Sequence, residues 1–417
     1  MMPPQLPDSI HHLAEAITSS GGRAYLVGGG VRDHWLGRTV KDWDIEVFGL
    51  ELRALITLLR RLGRVNTVGR SFGVLKWSPR GRSRAEEIDV SIPRRDSKVG
   101  PGHRGIAVEG DPDMSVEEAA RRRDLTINAM MWDIIGGQLV DPWGGLDDLQ
   151  SGRLRAVDRD TFLEDPLRAL RVVQFAARLG FETDPELLEL CRTAALGELP
   201  AERIQGEWGK LLLKALRPSR GFAVARQTRI LERVFPEAAA LDADQVLDQL
   251  AAGHRDEAGG EGRRWALMLA GWLHRASAEG IEQTLDRLWM HSVQGYPVRA
   301  RVLGAVATWG TPLQTDAQIR HASVHAELRL VIPLRSVILG EDPAELRARV
   351  EALGVLESKP AALLLGRHLG PLGVPPGPQM GEILRAVYEQ QLDGTVHTLE
   401  GAEAAAREIW SALSSTD

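Results

Sequence analysis

Near residue 160 the hydrophobic pattern of this chain changes its period, and that change limits the folds open to it. Before it, short runs rich in β-branched and aromatic residues are bounded by Gly, Pro or charge and predict strands among helices: AYLVGGG (24–30), WDIEVFG (43–49), FGVLKWS (72–78), EEIDVSI (86–92) and INAMMWDI (127–134). After it, PLRALRVVQFAARLG (166–180), ERIQGEWGKLLLKAL (202–216) and DQVLDQLAAG (244–253) repeat apolar residues three and four apart, the spacing of amphipathic helices. The expectation is an α+β fold: a mixed sheet with helices in the first 150 or so residues, then a mainly all-α remainder without a fixed-period repeat. AAGHRDEAGGEGRR (251–264) reads as a surface loop.

The chain has 417 residues, enough for about two to four compact units. A hydrophobic share of 43% and a charged share of 26% are those of a folded globular chain and argue against disorder. No stretch is apolar for long enough to span a bilayer, and MMPPQLPDSIHHLAEA lacks the basic patch and apolar run of a secretory signal, so the expectation is a cytoplasmic protein without a membrane partner. The single cysteine, Cys191, can form neither an internal disulfide nor a thiolate zinc cage and reads as a core residue. The net charge is -6, so any nucleic-acid site must be a local basic surface. Arg94 with Arg95, Arg121 to Arg123, and Arg217 with Arg220 are the candidate clusters, each equally readable as a solvated helix face.

The densest chemistry lies in YLVGGGVRDHWLGRTVKDWDIEVFG (25–49). After a strand at Tyr25 to Val27, Gly28, Gly29 and Gly30 let the backbone turn without a Cβ in the way, and its N–H groups with Arg32 can hold a triphosphate. A simple strand-to-helix turn is the plainer reading; a dinucleotide-binding turn fits poorly, because GGGVRD lacks the third glycine of G-x-G-x-x-G. Downstream, Asp42 and Asp44 stand two apart, which on a strand projects both to one face while Trp43, Ile45 and Val47 turn to the core. Two adjacent carboxylates repel unless a cation fills the gap, and Mg²⁺ takes one or two carboxylates with phosphate oxygens as ligands. A paired site of this kind can activate a 3′-hydroxyl and stabilise a pyrophosphate leaving group. Alternating acids on the wet face of a half-buried strand are the competing explanation. Asp89 is a third acid by pattern, and Glu87 shares its parity.

The run LVGGGVRD…LG…DWDIEV resembles the signature of class II tRNA nucleotidyltransferases and bacterial poly(A) polymerases, members of the polymerase-β-like superfamily. Four further segments follow in order. RRDLTINA (122–129) is similar to that family's RRD-x-T-x-N-A segment, DPWGGLDDL (141–149) to its D-P-x-G-G-x-x-D-L segment, EDPLRALR (164–171) to its E-D-x-x-R-x-x-R helix, and AERI (201–204) to its A-E-R-I element. The resemblance implies a nucleotidyltransferase head over 1–150, a helical neck over 151–220 with a nucleotide-selecting helix, and a helical body and tail over 221–417 that binds tRNA. It implies Asp42 and Asp44 as catalytic metal carriers, and Gly28, Gly29, Arg32, Arg123, Asp124 and Asn128 as nucleotide-binding residues. Asp165, Arg168 and Arg171 would select the base. The implied reaction adds all or part of CCA to the 3′ end of tRNA from CTP and ATP with release of pyrophosphate.

The selecting helix also makes physical sense. Asp165, Arg168 and Arg171 recur every three residues as one polar stripe, while Leu167, Leu170 and Val173 turn to a core. Pro166 suits the first turn and Gly180 the end. Cytosine and adenine both show an amine donor beside a ring-nitrogen acceptor, which a carboxylate and a guanidinium can read. Uracil and guanine would set like groups against each other, at about 1 to 3 kcal/mol for each unsatisfied group. An i, i+3 ion pair between Asp165 and Arg168 is the plain alternative. Gln174 stands where many relatives continue the stripe with a third arginine.

VGRSFGVLKW (68–77) resembles the tRNA-specific members more than the poly(A) polymerases, and SKVGPGHRGIAVEGDPDMS (97–115) corresponds to the family's flexible loop. His254 and His274 are each followed by arginine, so the His-Asp pairs of an HD hydrolase module are missing. GVPPGPQMGEILRAVYEQQLDG (373–394) resembles the tail helix of longer bacterial relatives. A poly(A) polymerase and a catalytically silent RNA-binding relative are the other readings.

Overall fold

In the computed structural model, residues 3–40, 42–66, 74–80, 87–98 and 106–414 are described. They divide into two compact units, Met1–Leu211 with Arg220–Val234, and Leu212–Ser219 with Phe235–Asp417.

The first unit is built on a mixed sheet. Its strands are β1 (Arg23–Val27), β2 (Asp44–Phe48), β3 (Gly63–Asn66), β4 (Val74–Pro79), β5 (Ile88–Ser91), β6 (Met131–Asp133) and β7 (Gln138–Val140). Among the described residues their order is β3-β4-β5-β2-β1-β6-β7, with β2 and β5 parallel and the other neighbours antiparallel. Alternation decides the faces of β2: Ile45 and Val47 are fully buried, whereas Asp44 and Glu46 are half-buried on the opposite side. Tyr25 on β1 meets Phe48 on β2 edge to face at 5.3 Å, within a core that also takes Val27, Ala129 and Met131.

The helices wholly or mainly in this unit are α1 (Asp8–Ser19), α2 (Gly29–Trp35), α3 (Leu52–Leu62), α4 (Val116–Arg121), α5 (Thr126–Ala129), α6 (Gly145–Ser151), α7 (Arg159–Glu164), α8 (Leu167–Leu179), α9 (Pro185–Thr193), α10 (Ala201–Lys214), α11 (Pro218–Gln227) and α12 (Ile230–Val234). α1 buries Ile10, Leu13, Ala14 and Ile17, the spacing of one helix face. α4 starts in a capping box between Ser115 and Glu118. α8 follows Pro166 at φ -58° and ends at Gly180, whose φ of +74° suits a residue without a Cβ. Leu167, Leu170 and Val173 face inward as expected, and Cys191 on α9 is fully buried. Gly145, which opens α6, has no room for a side chain: a Cβ would stand 2.2 Å from the Thr126 carbonyl oxygen.

Three expectations need correction. INAMMWDI is not one strand: Thr126–Ala129 is helix α5, because the Thr126 hydroxyl bonds Asp148 (2.6 Å) and the Asn128 amide bonds Asp124 (3.0 Å), polar contacts made within helical backbone. Trp43 is half-exposed rather than core, because the strand proper begins only at Asp44. The segment 251–264 is not a surface loop throughout, since α13 (Asp244–Gly253) and α14 (Glu261–Leu273) occupy its ends and Arg255 and Ala258 are buried between them. Arg255 donates from its guanidinium to the Ala215 carbonyl, a bond that gives a buried cation a reason to be there. The VGRSFG portion (68–73), Lys41 and residues 99–105 of the flexible-loop segment lie outside the described residues.

The second unit is helical. After α13 and α14 come α15 (Ala278–Arg287), α16 (Val298–Thr308), α17 (Asp316–His325), α18 (Leu328–Leu339), α19 (Pro343–Ala352), α20 (Gly366–Leu369), α21 (Pro378–Asp393) and α22 (Leu399–Ser414). α14 is buried nearly all round, with Trp265, Leu269 and Leu273 among its inward residues. Glu327, 1% exposed, accepts from Arg263 (2.7 Å) and from the Tyr296 hydroxyl (2.7 Å), so its charge is paired. His274 is buried with its ring against Trp309 and its Nδ1 2.8 Å from the Gly271 oxygen; burial holds its pKa down. The tail segment forms α21 from Pro378 to Asp393, closed by Gly394 at φ +78°. No described helix is long and apolar enough to cross a membrane.

Candidate active site

The turn after β1 is glycine by necessity. Gly28 has φ +67°, and a Cβ there would lie 3.1 Å from Arg123 Nη1 and 3.7 Å from Asp44 Oδ2. Its absence lets a cation and a carboxylate close on the start of α2. They open into a cavity of about 500 Å³ within the first unit. Gly28, Gly29, Arg32, Asp44, Arg123, Asp124, Asn128, Asp165, Arg168 and Arg171 line it, so the structure gathers all nine expected nucleotide-binding residues and one of the two catalytic acids. Seven arginines against four carboxylates make the lining basic, although the chain is acidic as a whole, and such a wall attracts a polyphosphate. Of the three arginine clusters, Arg94, Arg122 and Arg123 stand in this wall, whereas Arg121 pairs with Asp158 (2.9 Å) and Arg220 donates to the Gly180 carbonyl.

Asp42 and Asp89 stand outside the lining but beside Asp44. Asp89 is the register partner of Asp44 across the parallel β2–β5 pair, and its N–H donates to the Trp43 carbonyl at 3.0 Å. Burial holds the Asp44 carboxyl above its ordinary pKa; Asp89 and Asp42 push the same way, against Arg123 and Lys76. Lys76 Nζ reaches both Glu87 and Asp89 at 3.2 Å, so the two candidates for a third acid share one cation. Among the described residues no three His, Cys, Asp or Glu side chains are gathered as a metal site. A hard cation at Asp42 and Asp44 would therefore complete its shell with phosphate and water oxygens, as Mg²⁺ commonly does. Crowded like charges beside a basic cavity fit that demand.

The helix stripe is held differently from the simple i, i+3 pair. Asp165 does not bind Arg168; its Oδ2 accepts from Arg203 (2.8 Å) on α10 and its Oδ1 from the Leu167 N–H (3.1 Å). Arg168 donates to the Thr161 carbonyl (2.6 Å) and to the Arg122 carbonyl (2.5 Å). Arg171 Nε donates to Asp124 Oδ2 at 2.6 Å. Burial alone would raise the Asp124 pKa, but the Arg171 guanidinium and the Asn128 and Leu125 N–H donors outweigh it and hold the value at about 2. Asn128 Oδ1 in turn accepts from Arg32 Nη1 (2.6 Å), and Arg32 Nε and Nη2 bond Asp33. Asp124 and Asn128, 7% and 4% exposed, thus spend their side-chain bonds on protein partners and set the two arginines in place.

Residues missed from the sequence are Glu46 and Arg203. Glu46 binds Arg123 (3.2 Å), and its parity with Asp42 and Asp44 was a usable signal. Arg203 is the arginine of A-E-R-I, but nothing local tied it to Asp165, 38 residues away. Gln174 is buried and accepts from Arg178 (3.0 Å).

Residues 24–155 match the poly A polymerase head domain, and residues 180–241 match a probable RNA- and SrmB-binding site of polymerase A. These two stretches are what the chain shares with the poly(A) polymerase family. Nucleotidyltransferases of this family are generally metal-dependent. Similar relatives are the multifunctional CCA proteins of Nitrosomonas eutropha, 40% identical over 223 residues (52% of this chain, 51% of that protein), and of Aromatoleum aromaticum, 41% identical over 220 residues (52% and 51%). The chain thus spans about half the length of the curated relatives it matches. In fold it resembles the Bacillus stearothermophilus CCA-adding enzyme in complex with CTP, with a TM-score of 0.71 at 23% identity over 98% of this chain and 99% of that one. It also resembles the Thermotoga maritima CCA-adding enzyme complexed with tRNA, with a TM-score of 0.65 at 21% identity over 97% and 95%. This likeness of fold runs through both units.

Proposed function

We propose that this chain is a tRNA nucleotidyltransferase of the cytoplasm that adds all or part of CCA to the 3′ end of tRNA from CTP and ATP. The observation that carries the reading is one basic cavity lined both by Asp44, which Asp42 and Asp89 crowd, and by Asp165 and Arg168. The names of the multifunctional CCA relatives point the same way. In domain terms, residues 1–150 form the catalytic head, 151–220 the neck, and 221–417 a body and tail that take tRNA.

Asp42 and Asp44, with Asp89 as a third candidate, would hold Mg²⁺, which when bound supplies charge for the attacking and leaving oxygens. Gly28 and Gly29 leave the backbone open to the triphosphate, and Arg32 and Arg123 offset its charge. The 3′-oxygen of tRNA forms a bond to the α-phosphorus, the bond from that phosphorus to the β-phosphate bridge breaks, the hydroxyl proton is released, and pyrophosphate leaves. At the base end Asp165 accepts from the exocyclic amine of cytosine or adenine and Arg168 donates to the ring nitrogen. Arg203 and the Leu167 N–H keep Asp165 aimed, and Asp124 keeps Arg171 beside it.

Transcripts of tRNA lacking CCA, or ending in C or CC, incubated with CTP, ATP or both and then sequenced, test this reading. CCA on the shortest transcript is the expected product. Long A tails would make the chain a poly(A) polymerase, and no addition with any divalent metal would make it an RNA-binding relative. Arg168→Ala should lower the preference for CTP and ATP over UTP and GTP by about 10- to 100-fold, the worth of one or two groups left unsatisfied. An unchanged preference would remove Arg168 from base selection.

A further inference from the structure

Phe175 on α8 is 3% exposed and outside the cavity lining, yet three guanidiniums lie over its ring. Arg32 is 5.0 Å from its centroid, Arg171 5.4 Å and Arg178 5.8 Å, all within the range of cation–π attraction. Arg171, Phe175 and Arg178 share a face of α8 by their spacing of four and three, while Arg32 arrives from α2. Each guanidinium is also held by an oxygen of its own: Arg32 by Asp33, Arg171 by Asp124 and Arg178 by Gln174. A leucine would fill this apolar site nearly as well; only an aromatic ring offers its negative face to cations.

Arg32 and Arg171 are joined by a second route. Arg171 donates to Asp124, Asn128 donates to the other oxygen of Asp124, and Arg32 donates to Asn128. Resting on the function proposed above, Arg32 serves the triphosphate end of the nucleotide and Arg171 the base end. We propose that Phe175 is a positioning residue that couples the two ends, so that the grip on phosphate and the choice of base are set together by a ring that touches neither. Gln174 belongs to this arrangement: its amide oxygen accepts from Arg178, one turn on, which lies over the same ring.

The test measures CTP, UTP and inorganic pyrophosphate binding to the full chain. Phe175→Leu should weaken pyrophosphate binding about fivefold and reduce the CTP-over-UTP preference about fivefold together, the worth of about one lost cation–π contact at each end. Phe175→Tyr, which keeps the ring, should hold both within about twofold. A lower melting temperature with both binding quantities unchanged would mean that the ring is only filler and overturns the proposal. Should Phe175→Leu fail to fold, Phe175→Met removes the ring while an unbranched apolar side chain fills the site and leaves the Arg32–Asn128–Asp124–Arg171 chain in place: both quantities falling together supports coupling, both unchanged refutes it. Wild-type protein that shows no preference for CTP over UTP refutes the parent reading instead.

Discussion

Asp44→Asn will abolish nucleotide addition while leaving the fold intact. Asp44 is the acid that lines the cavity, with Asp42 two residues before it and Asp89 across the β2–β5 pair. Under the proposed function, losing the carboxylate would remove a ligand for a cation that would support both reacting oxygens, a contribution of several kcal/mol and so a drop of about 10³-fold or more in single-turnover rate. Because the substitution also removes one of three crowded negative charges, the melting temperature should stay level or rise. Near-normal addition would take Asp44 out of the reaction; a collapse in melting temperature alongside activity would make its role structural.

Asp124→Ala should be the most destabilising change in the first unit. It strips the half-buried Arg171 guanidinium of its nearest partner and leaves the buried Asn128 and Leu125 donors without an acceptor, at about 3 to 5 kcal/mol. For a unit of this size that is a fall of roughly 10 °C in melting temperature. The pH dependence has a definite sign. Folding holds the Asp124 pKa at about 2, below its unfolded value, so its contribution is present in full above about pH 4 and is lost as the pH falls toward 2. In Asp124→Asn, acid unfolding over that window should be correspondingly shallower; an unchanged profile in thermal melts from pH 5 to 2 would show that the pair contributes little.

These two residues also mark how far the sequence could be read. Asp44 was legible because its message is local: a strand of period two, an acid on alternate positions and a glycine turn just upstream. Arg168 and Arg171 on one side of α8 were legible for the same reason, and so was the core face of Leu167, Leu170 and Val173, whereas Asp165, expected on the same helix, precedes it in extended backbone. What escaped were the partners. Asp165 meets Arg203 and Arg171 meets Asp124 across 38 and 47 residues, and no periodicity encodes a pairing that only tertiary packing creates. The short helix at Thr126–Ala129 escaped because hydrogen bonds to Asp148 and Asp124 overrode the strand propensity of its neighbours. Phe175 read as core, and it is; that three cations share its ring is a fact of the assembled fold.

Crystals of the protein grown with CTP and Mn²⁺, with data collected at the manganese edge, put the central claim to its most direct test. The account predicts anomalous density touching the carboxylates of Asp42 and Asp44, the triphosphate against Gly29 and Arg32, and the cytosine edge on Asp165 and Arg168. A cation bound away from both acids, or a nucleotide lying with its base toward β2, would contradict it.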